Sequence, residues 1–394
     1  MDMRGNDPTN KGRYDVIVVG GGIAGVAAAV SSARAGAKTL LIEKCVNLGG
    51  LATTGLISWY EPLCDGQGKQ MIGGIAEELI KLSVEYGLDS LPERWGGNRP
   101  DRKENERYAT HFSPTIFSVA LDDYVLKSGA QLRFDTWATY PVMDGSKCLG
   151  VVTESVNGRE FFEAGAVVDA SGDASVMDRA GVPCVLGKNY MSYIAHYYDT
   201  ADAQKLMETK DTRVFRKWMG VGSDMEGNGH PEGMKLFDEA TAEELTRFMV
   251  VGKQKLLERI KQKGKNNFDI TTLPYMPQFR TIRRIVGKCD FPAIDGMTCE
   301  DSIGWCGDFR PKGIGKHYQL PFGALYSEGF DNLIAAGRII SAPQGDGWEV
   351  SRVIPVCALT GEAAGRAAAI SALKGATMDE VRERYMEQVR VQAE

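Results

Sequence analysis

The stretch YDVIVVGGGIAGVAAAVSSARAGAKTLLIEK, Tyr14 to Lys44, constrains this chain more than any other part of it. Asp15 to Val19 reads as a short buried strand, the alanine-rich Gly25 to Ala35 as a helix ending at Gly36, and Thr39 to Ile42 as a second parallel strand. Gly20-x-Gly22-x-x-Gly25 falls at the first strand–helix junction. There the first glycine permits a tight turn, the second lets backbone approach a pyrophosphate, and the third lets helix pack on sheet. Helix N-terminal amides then meet the phosphate charge. Glu43 ends the second strand, placed to accept hydrogen bonds from a ribose hydroxyl and to repel a 2′-phosphate. A dinucleotide with an unmodified ribose follows, which leaves NAD and FAD both open.

The rest of the composition excludes other classes. The chain has 394 residues, with 46 basic and 52 acidic side chains and a net charge of −6. No Lys/Arg block is long enough to track a nucleic-acid backbone. The longest apolar run, Val16 to Val30, is broken by Gly20, Gly21, Gly22 and Gly25 and fails as a membrane span. With a polar start and no apolar signal core, the expected location is cytoplasmic, with no membrane partner. Eight dispersed cysteines without a C-x-x-C pair argue against a disulfide framework, an iron–sulfur centre or a flavin-linked redox disulfide, and no metal site is expected.

Further along, Ser113 caps an expected helix to Lys127, and Leu132 to Phe134 continues the sheet. Tyr140 to Phe162 reads as an antiparallel meander turning at Asp144-Gly145 and Asn157-Gly158, after which Ala166 to Ala170 returns to the parallel sheet. From Tyr190 to Gly329 the α/β alternation is lost and charged helices such as Glu243 to Lys263 appear, marking a cap. Asn332 to Ala336 resumes the buried-strand pattern, and Gly361 to Leu373 is a helix. The expected division is a discontinuous nucleotide domain (14–58, 112–189 and 330–394), a cap (59–111 and 190–329) and a flexible segment 1–13.

Three later segments bear on the cofactor: LGGLATTG (Leu48 to Gly55), VVDASGDASVMDRAGVP (Val167 to Pro183) and the long return NLIAAGRIISAPQGDGWEVSRVIPVCALTGEAAGRAAA (Asn332 to Ala369). Together they resemble flavoproteins of the glutathione-reductase-like FAD fold. IGGIAEELIKL and RTIRRIVG narrow the resemblance to the bacterial FAD-dependent oxidoreductase family, distantly related to fumarate reductase flavoproteins. The resemblance implies an α/β fold: a Rossmann-like FAD-binding domain, with a parallel sheet and a small antiparallel meander, carrying an inserted α+β cap. It implies FAD along Gly20, Gly22, Ile23, Ala24 and Gly25, with Glu43 and Lys44 at the ribose. Gly49, Gly50, Leu51, Ala52 and Thr53 would lie along the pyrophosphate and isoalloxazine, Ala138 beside the adenine, and Gly172 and Asp173 near the nucleotide. Gly337, Arg338, Arg352 and Val353 would lie near the pyrophosphate, ribityl chain and flavin ring. A helix starting near Gly361 would point partial positive charge at the reduced flavin, a contribution of up to ~2 kcal/mol. No second G-x-G-x-x-G is present, so electrons must come and go by substrate, oxygen or a separate carrier.

The chain has four histidines. His317, with Tyr318, precedes the return to the nucleotide domain and is the first candidate for moving a proton while the flavin moves a hydride. His196 is the second, and His230 is expected to be solvated. Arg280, Arg283 and Arg284 sit at i, i+3, i+4, one face of a helix if the segment is helical, and Arg283 is the candidate anion-binding site residue; an ion-pair cluster is the competing reading. Trp59, Tyr60, Trp305, Tyr318 and Trp348 are candidates for an aromatic pocket or for core. The expected function is hydride transfer between flavin N5 and a small organic substrate, by CH–OH or CH–CH oxidation or activated C=C reduction, with an external electron donor or acceptor. Structural use of the dinucleotide in a modification complex and a flavin subunit of a larger electron-transfer complex are the alternatives. Homo-oligomerisation is left open.

Overall fold

A computed structural model describes residues 7–100, 107–210, 212–224, 226–265 and 267–393. The chain enters on β1 (Thr9–Val19), α1 (Ile23–Arg34) and β2 (Thr39–Ile42), then β3 (Trp59–Tyr60), α2 (Gly74–Leu82), β4 (Thr110–His111) and α3 (Pro114–Lys127). A run of strands follows: β5 (Gln131–Arg133), β6 (Trp137–Asp144), β7 (Lys147–Ser155) and β8 (Gly158–Asp169). After α4 (Ser175–Arg179) and β9 (Cys184–Leu186) come β10 (Ser192–Asp199), α5 (Ala203–Thr209), β11 (Lys217–Gly222), α6 (Ala242–Lys263) and β12 (Phe268–Thr272). The return runs through β13 (Arg283–Ile285), β14 (Ser302–Gly307), β15 (His317–Pro321) and β16 (Leu333–Ala335) to α7 (Asp346–Ser351), α8 (Ile354–Lys374) and α9 (Met378–Ala393).

The central sheet has the order β5-β2-β1-β8-β7-β6, with β16 also pairing β8. Strands β5, β2, β1, β8 and β16 are parallel, and the β6-β7-β8 part is antiparallel. Both faces are buried, as parallel sheets require, and the residues divide between them with period two. Val16, Val18, Leu41 and Ile334 face α1 and α8, whereas Ile17, Val19, Leu40, Ile42 and Leu333 face the meander side. α1 and α8 cross closely because Gly361 and Gly365 carry no Cβ. A Cβ there would stand 2.1 Å from the Ala24 carbonyl oxygen and 2.2 Å from that of Ala28.

The cap has its own core. The three-stranded sheet β11-β10-β12 carries α6, and Phe237, Phe248 and Phe279 pack ring to ring between them. Thr241 caps α6, its side chain accepting from the Glu244 amide at 3.2 Å.

Five expectations need correction. Thr9 to Arg13 are not a flexible lead-in but the first half of β1, paired with β8 from Thr9 opposite Glu160; residues 1–6 lie outside the described residues. The last meander strand and the return to the parallel sheet are one strand, β8, bonded antiparallel along its first half and parallel along its second. α8 begins at Ile354, seven residues before Gly361, with Pro355 in its first turn, where a missing N–H costs nothing. Arg283 and Arg284 lie on β13, paired with β9, so the expected helical face does not exist. Finally, Tyr60, Leu63, Ile75 and Leu79, and Phe291, Leu320, Phe322 and Tyr326, join the cluster under α1 and α8. The packing therefore breaks the expected boundaries at 58/59 and 329/330. Only residues from Met191 to Ile282 contribute to the separate cap core.

Candidate active site

The parallel strands end together. The amides of Gly20, Ala170 and Ala336 each donate across to a neighbouring strand's last carbonyl, at 2.8, 2.8 and 2.9 Å. Beyond these carboxyl ends opens a cavity of about 440 Å³, closed on the far side by the cap. This is the usual ligand position in such sheets.

The glycine loop has the geometry its spacing predicts. Gly20 has φ +98°, and a Cβ on it would lie 2.5 Å from the Ala170 carbonyl oxygen. A Cβ on Gly25 would lie 1.8 Å from the Gly20 carbonyl oxygen, so only glycine fits at this position in the first turn of α1. Gly22, by contrast, meets nothing within 4 Å and faces the cavity. α1 has no side-chain cap and no acid in its first turn, which leaves its leading amides to an incoming anion. Glu43 accepts from the amides of Gly21 and Cys45, the latter at 2.8 Å, and so fixes the loop while lining the cavity.

Of the cofactor candidates, all but Gly25, Thr53, Ala138 and Val353 line the main cavity. Ala138 lies in an adjoining recess of about 70 Å³ that shares Glu43, Lys44 and Asp173 with it. Thr53 turns inward, donating to the Leu48 carbonyl, and Thr54 lines the cavity in its place. Val353 is buried at the N-cap of α8.

Charges are set unevenly along the cavity. Burial works against ionisation of Asp173, but Lys44, hydrogen bonds involving Ser171 and Ser175, and the Arg338 charge outweigh it and hold the carboxyl below its ordinary value. Lys44 itself lies 5.1 Å from the Trp137 ring. Arg338 donates to the carbonyls of Gly172, at 2.6 Å, and Phe279, at 2.5 Å, tying the β8 loop to the cap. Burial lowers its pKa, yet a guanidinium stays protonated. Arg352 also lines the cavity, its guanidinium 4.9 Å from the Trp348 ring.

The candidate proton carriers are not gathered here. His317 and Tyr318 lie on β15, outside the cavity: His317 packs on Trp305 at 5.1 Å, and Tyr318 is buried with its hydroxyl on Asp308 at 2.9 Å. Arg283 donates to the Asp173 carbonyl at 3.2 Å and pairs with Asp178 at 3.3 Å, behind the cavity wall. Of the expected ion pairs with acids of the cap, Arg284 makes one, to Asp290 at 3.5 Å, whereas the partner of Arg283 is on α4 and Arg280 donates to the Asp224 carbonyl at 2.8 Å. His196 is buried on β10 with Nε2 near the Leu56 carbonyl and the Trp218 indole, and burial lowers its pKa to about 4. His230 is a staple rather than a solvated side chain, with Nδ1 accepting from Met191 N and Nε2 meeting the Met234 carbonyl. The five candidate aromatics do not line the cavity.

Sequence reasoning missed three things. Asp169, fully buried, accepts from Ser171 N, Ser171 Oγ, Val176 N and Met177 N and thereby shapes the loop carrying Gly172 and Asp173. The cap wall is Leu245, Tyr275, Met276, Pro277 and Ile282, held by the Tyr275 amide on the Thr54 carbonyl at 2.9 Å. The Pro-bracketed apolar run LPYMPQF in a polar stretch was the available signal. Glu61 is the third, taken up below.

An uncapped helix over a glycine loop, a carboxylate at the end of the second strand and a long cavity under a cap define a dinucleotide-binding redox protein. The family model for FAD dependent oxidoreductases matches residues 15–284 and 237–393, and the chain belongs to that family. FAD is its cofactor. The chain is 31% identical over 185 residues to the digeranylgeranylglycerophospholipid reductase of Methanocella arvoryzae, covering 45% of this chain and 44% of that protein. It is 26% identical over 194 residues to the enzyme of that name from Methanoculleus marisnigri, covering 48% and 46%. The matches thus span under half the length of either relative. A geranylgeranyl bacteriochlorophyll reductase-like structure from Thermoplasma acidophilum superposes with a TM-score of 0.46 at 15% identity, covering 97% of this chain and 83% of that one. Among the described residues no helix is long and apolar enough to cross a membrane.

Proposed function

We propose that this oxidoreductase exchanges a hydride with an apolar unsaturated substrate at a carbon–carbon bond, in the direction of C=C reduction. The observation that carries the reading is the cap wall: Leu245, Tyr275, Met276, Pro277 and Ile282 face the cavity with no charged side chain among them. A wall of that kind excludes water and holds an apolar body by area rather than by ion pairs. The names of the reductases it partly matches point the same way.

Bound FAD supplies the two-electron hydride chemistry at N5. The uncapped amides of α1 would bind its pyrophosphate, and Glu43 a ribose hydroxyl. Thr54, tied to the cap through Met276 at 3.2 Å, positions the cap segment against the loop after β2. Arg352, a cation in the cavity lining, would orient a carbonyl or other acceptor conjugated with the reacting bond.

The purified protein is expected to be yellow. Photoreduced anaerobically and mixed with enoates, quinones or oxygen, it should be reoxidised fastest by an enoate bearing an apolar chain. Fast reoxidation by oxygen or quinone alone, with no alkene consumed, would refute the reading.

A further inference from the structure

Glu61 follows β3 and is 9% exposed, yet its carboxylate reaches the N-terminus of α8. The backbone at Glu61 and at Ile354, the first residue of that helix, and the Arg352 charge all favour its ionised form. Among the described residues, its oxygen Oε2 has no hydrogen-bond partner. Arg352, Ile354 and Cys357 all line the cavity, so Glu61 stands behind the part of the wall they form. A buried carboxylate oxygen without a donor is costly to keep charged, and one beside a redox centre is poised to bind a proton.

We propose that Glu61 is the proton store of the flavin site, taking one proton at Oε2 when the site is reduced and returning it when the site is reoxidised. This rests on the FAD reading above, with the flavin ring beside Arg352. A hydride donor, the saturated substrate in reverse or a reduced carrier, delivers two electrons and one proton to FAD. That adds one negative charge facing Arg352 and the α8 N-terminus, both of which otherwise stabilise the Glu61 carboxylate. Competition for the same positive field raises the proton affinity of Glu61, one proton comes from water to Oε2, and the net charge of the site is unchanged. Reoxidation by the unsaturated substrate returns the hydride to one carbon; the second carbon takes a proton from water, and Glu61 gives its own proton back to water, which closes the balance.

The described groups that face Glu61 leave it to titrate alone. Tyr60 on β3 is pushed well above its ordinary pKa by burial, and Cys357 on α8 up to about 12 by burial, so both remain neutral. Arg352, whose own neighbours include Arg280 and Glu349, remains charged. Burial carries Glu61 itself up to about 7, against those backbone groups and Arg352. Its titration therefore falls in the working range.

The test is the midpoint potential of the bound flavin against pH. For a two-electron couple each proton taken up contributes about 30 mV per tenfold change in proton activity. Wild type should show about 60 mV per pH unit above pH 7, where Glu61 is ionised before reduction, falling toward about 30 mV below it, and Glu61→Gln about 30 mV throughout, with the anionic reduced flavin spectrum in both. In the wild type alone, the reduced-minus-oxidised infrared difference should show a protonated carboxyl appearing on reduction, which keeps the test open if Glu61→Gln does not fold. A steep slope retained in Glu61→Gln, a neutral reduced flavin or no carboxyl band overturns the proposal. A yellow protein with any of these results defeats the proposal alone, whereas a colourless protein that takes up no FAD defeats the flavin reading as well.

Discussion

The close crossing of α1 and α8 offers a direct test of how the site is built. Gly361 of α8 touches the backbone of α1 at Ala24, and Ala24 lines the cavity immediately after the glycine loop. In Gly361→Ala the new Cβ would stand 2.1 Å from the Ala24 carbonyl oxygen, against ordinary contacts more than an ångström longer. The obstacle is backbone, not the end of a flexible side chain, so the helices must part. Overpacking of this kind costs about 1–3 kcal/mol. The upper end applies here, offset by the roughly 1 kcal/mol that alanine gains over glycine inside a helix. A net loss of about 2 kcal/mol should appear as a lower urea midpoint at unchanged m. Because the displaced helix carries the phosphate-facing amides, FAD should also dissociate faster on dilution. Gly365→Ala should behave alike, and the double variant should cost less than the two combined, since helices already parted by one methyl accept the second. A Gly361→Ala protein as stable as the parent, or more so, would refute the close crossing and leave only the helix-propensity gain.

The remaining predictions concern charge and polarity. His196 has a folded pKa of about 4 through burial, against about 6.5 unfolded. The unfolded state binds more protons between these values, so this contribution, on the order of 3 kcal/mol, is present above pH 6.5 and lost as pH falls to 4. His196→Gln should flatten that limb of the stability–pH curve. Glu61 runs the other way: with a folded value of about 7 its contribution is complete below its ordinary carboxyl value and is lost as pH rises through 7, a decline that Glu61→Gln should abolish. Glu43→Ala frees the amides of Gly21 and Cys45 and removes the ribose acceptor; at about 1.5–3 kcal/mol for a charged hydrogen bond, FAD should bind roughly ten- to a hundredfold more weakly in a fluorescence titration. Asp169→Asn turns an amide donor toward groups that donate, and should lower the urea midpoint by about 2–3 kcal/mol of stability.

What was legible in the sequence was what backbone geometry forces locally. The backbone demands at Gly20 and Gly25 were legible because a turn with positive φ at the first and a Cβ position blocked by backbone at both leave little else possible there. Ser113 read correctly as a cap because its hydroxyl is within reach of Ile116 N, at 3.5 Å, three residues on. The misread elements depend on distant partners. TNKGR is polar and exposed and has no strand pattern of its own; it is a strand because β8 offers an edge. The i, i+3, i+4 arginines suggested a helix, but pairing with Cys184 to Leu186 imposes the extended form. The α8 start was hidden by apolar residues on both sides, although Pro355 marked it.

The substrate end fails to show in sequence for a further reason. Its cap wall comes from three separate places: α6, the segment after β12 and the residue before β13. No spacing rule links Leu245 to Pro277 or Ile282. Its charged residues gain their character only from burial, which is non-local. In WYEPL, Glu61 is indistinguishable from a surface acid until Tyr60, Ile354 and Cys357 close around it. Conversely, His317 has the residue type that proton transfer calls for, and chain order puts it beside the return to the nucleotide domain, yet β14 and β15 form a hairpin that holds it away from the cavity. In the proposed reading, nucleotide binding rests on backbone amides and missing side chains, which sequence states directly. Proton handling there would rest on one carboxylate and what excludes water from it, which only the packed fold can state.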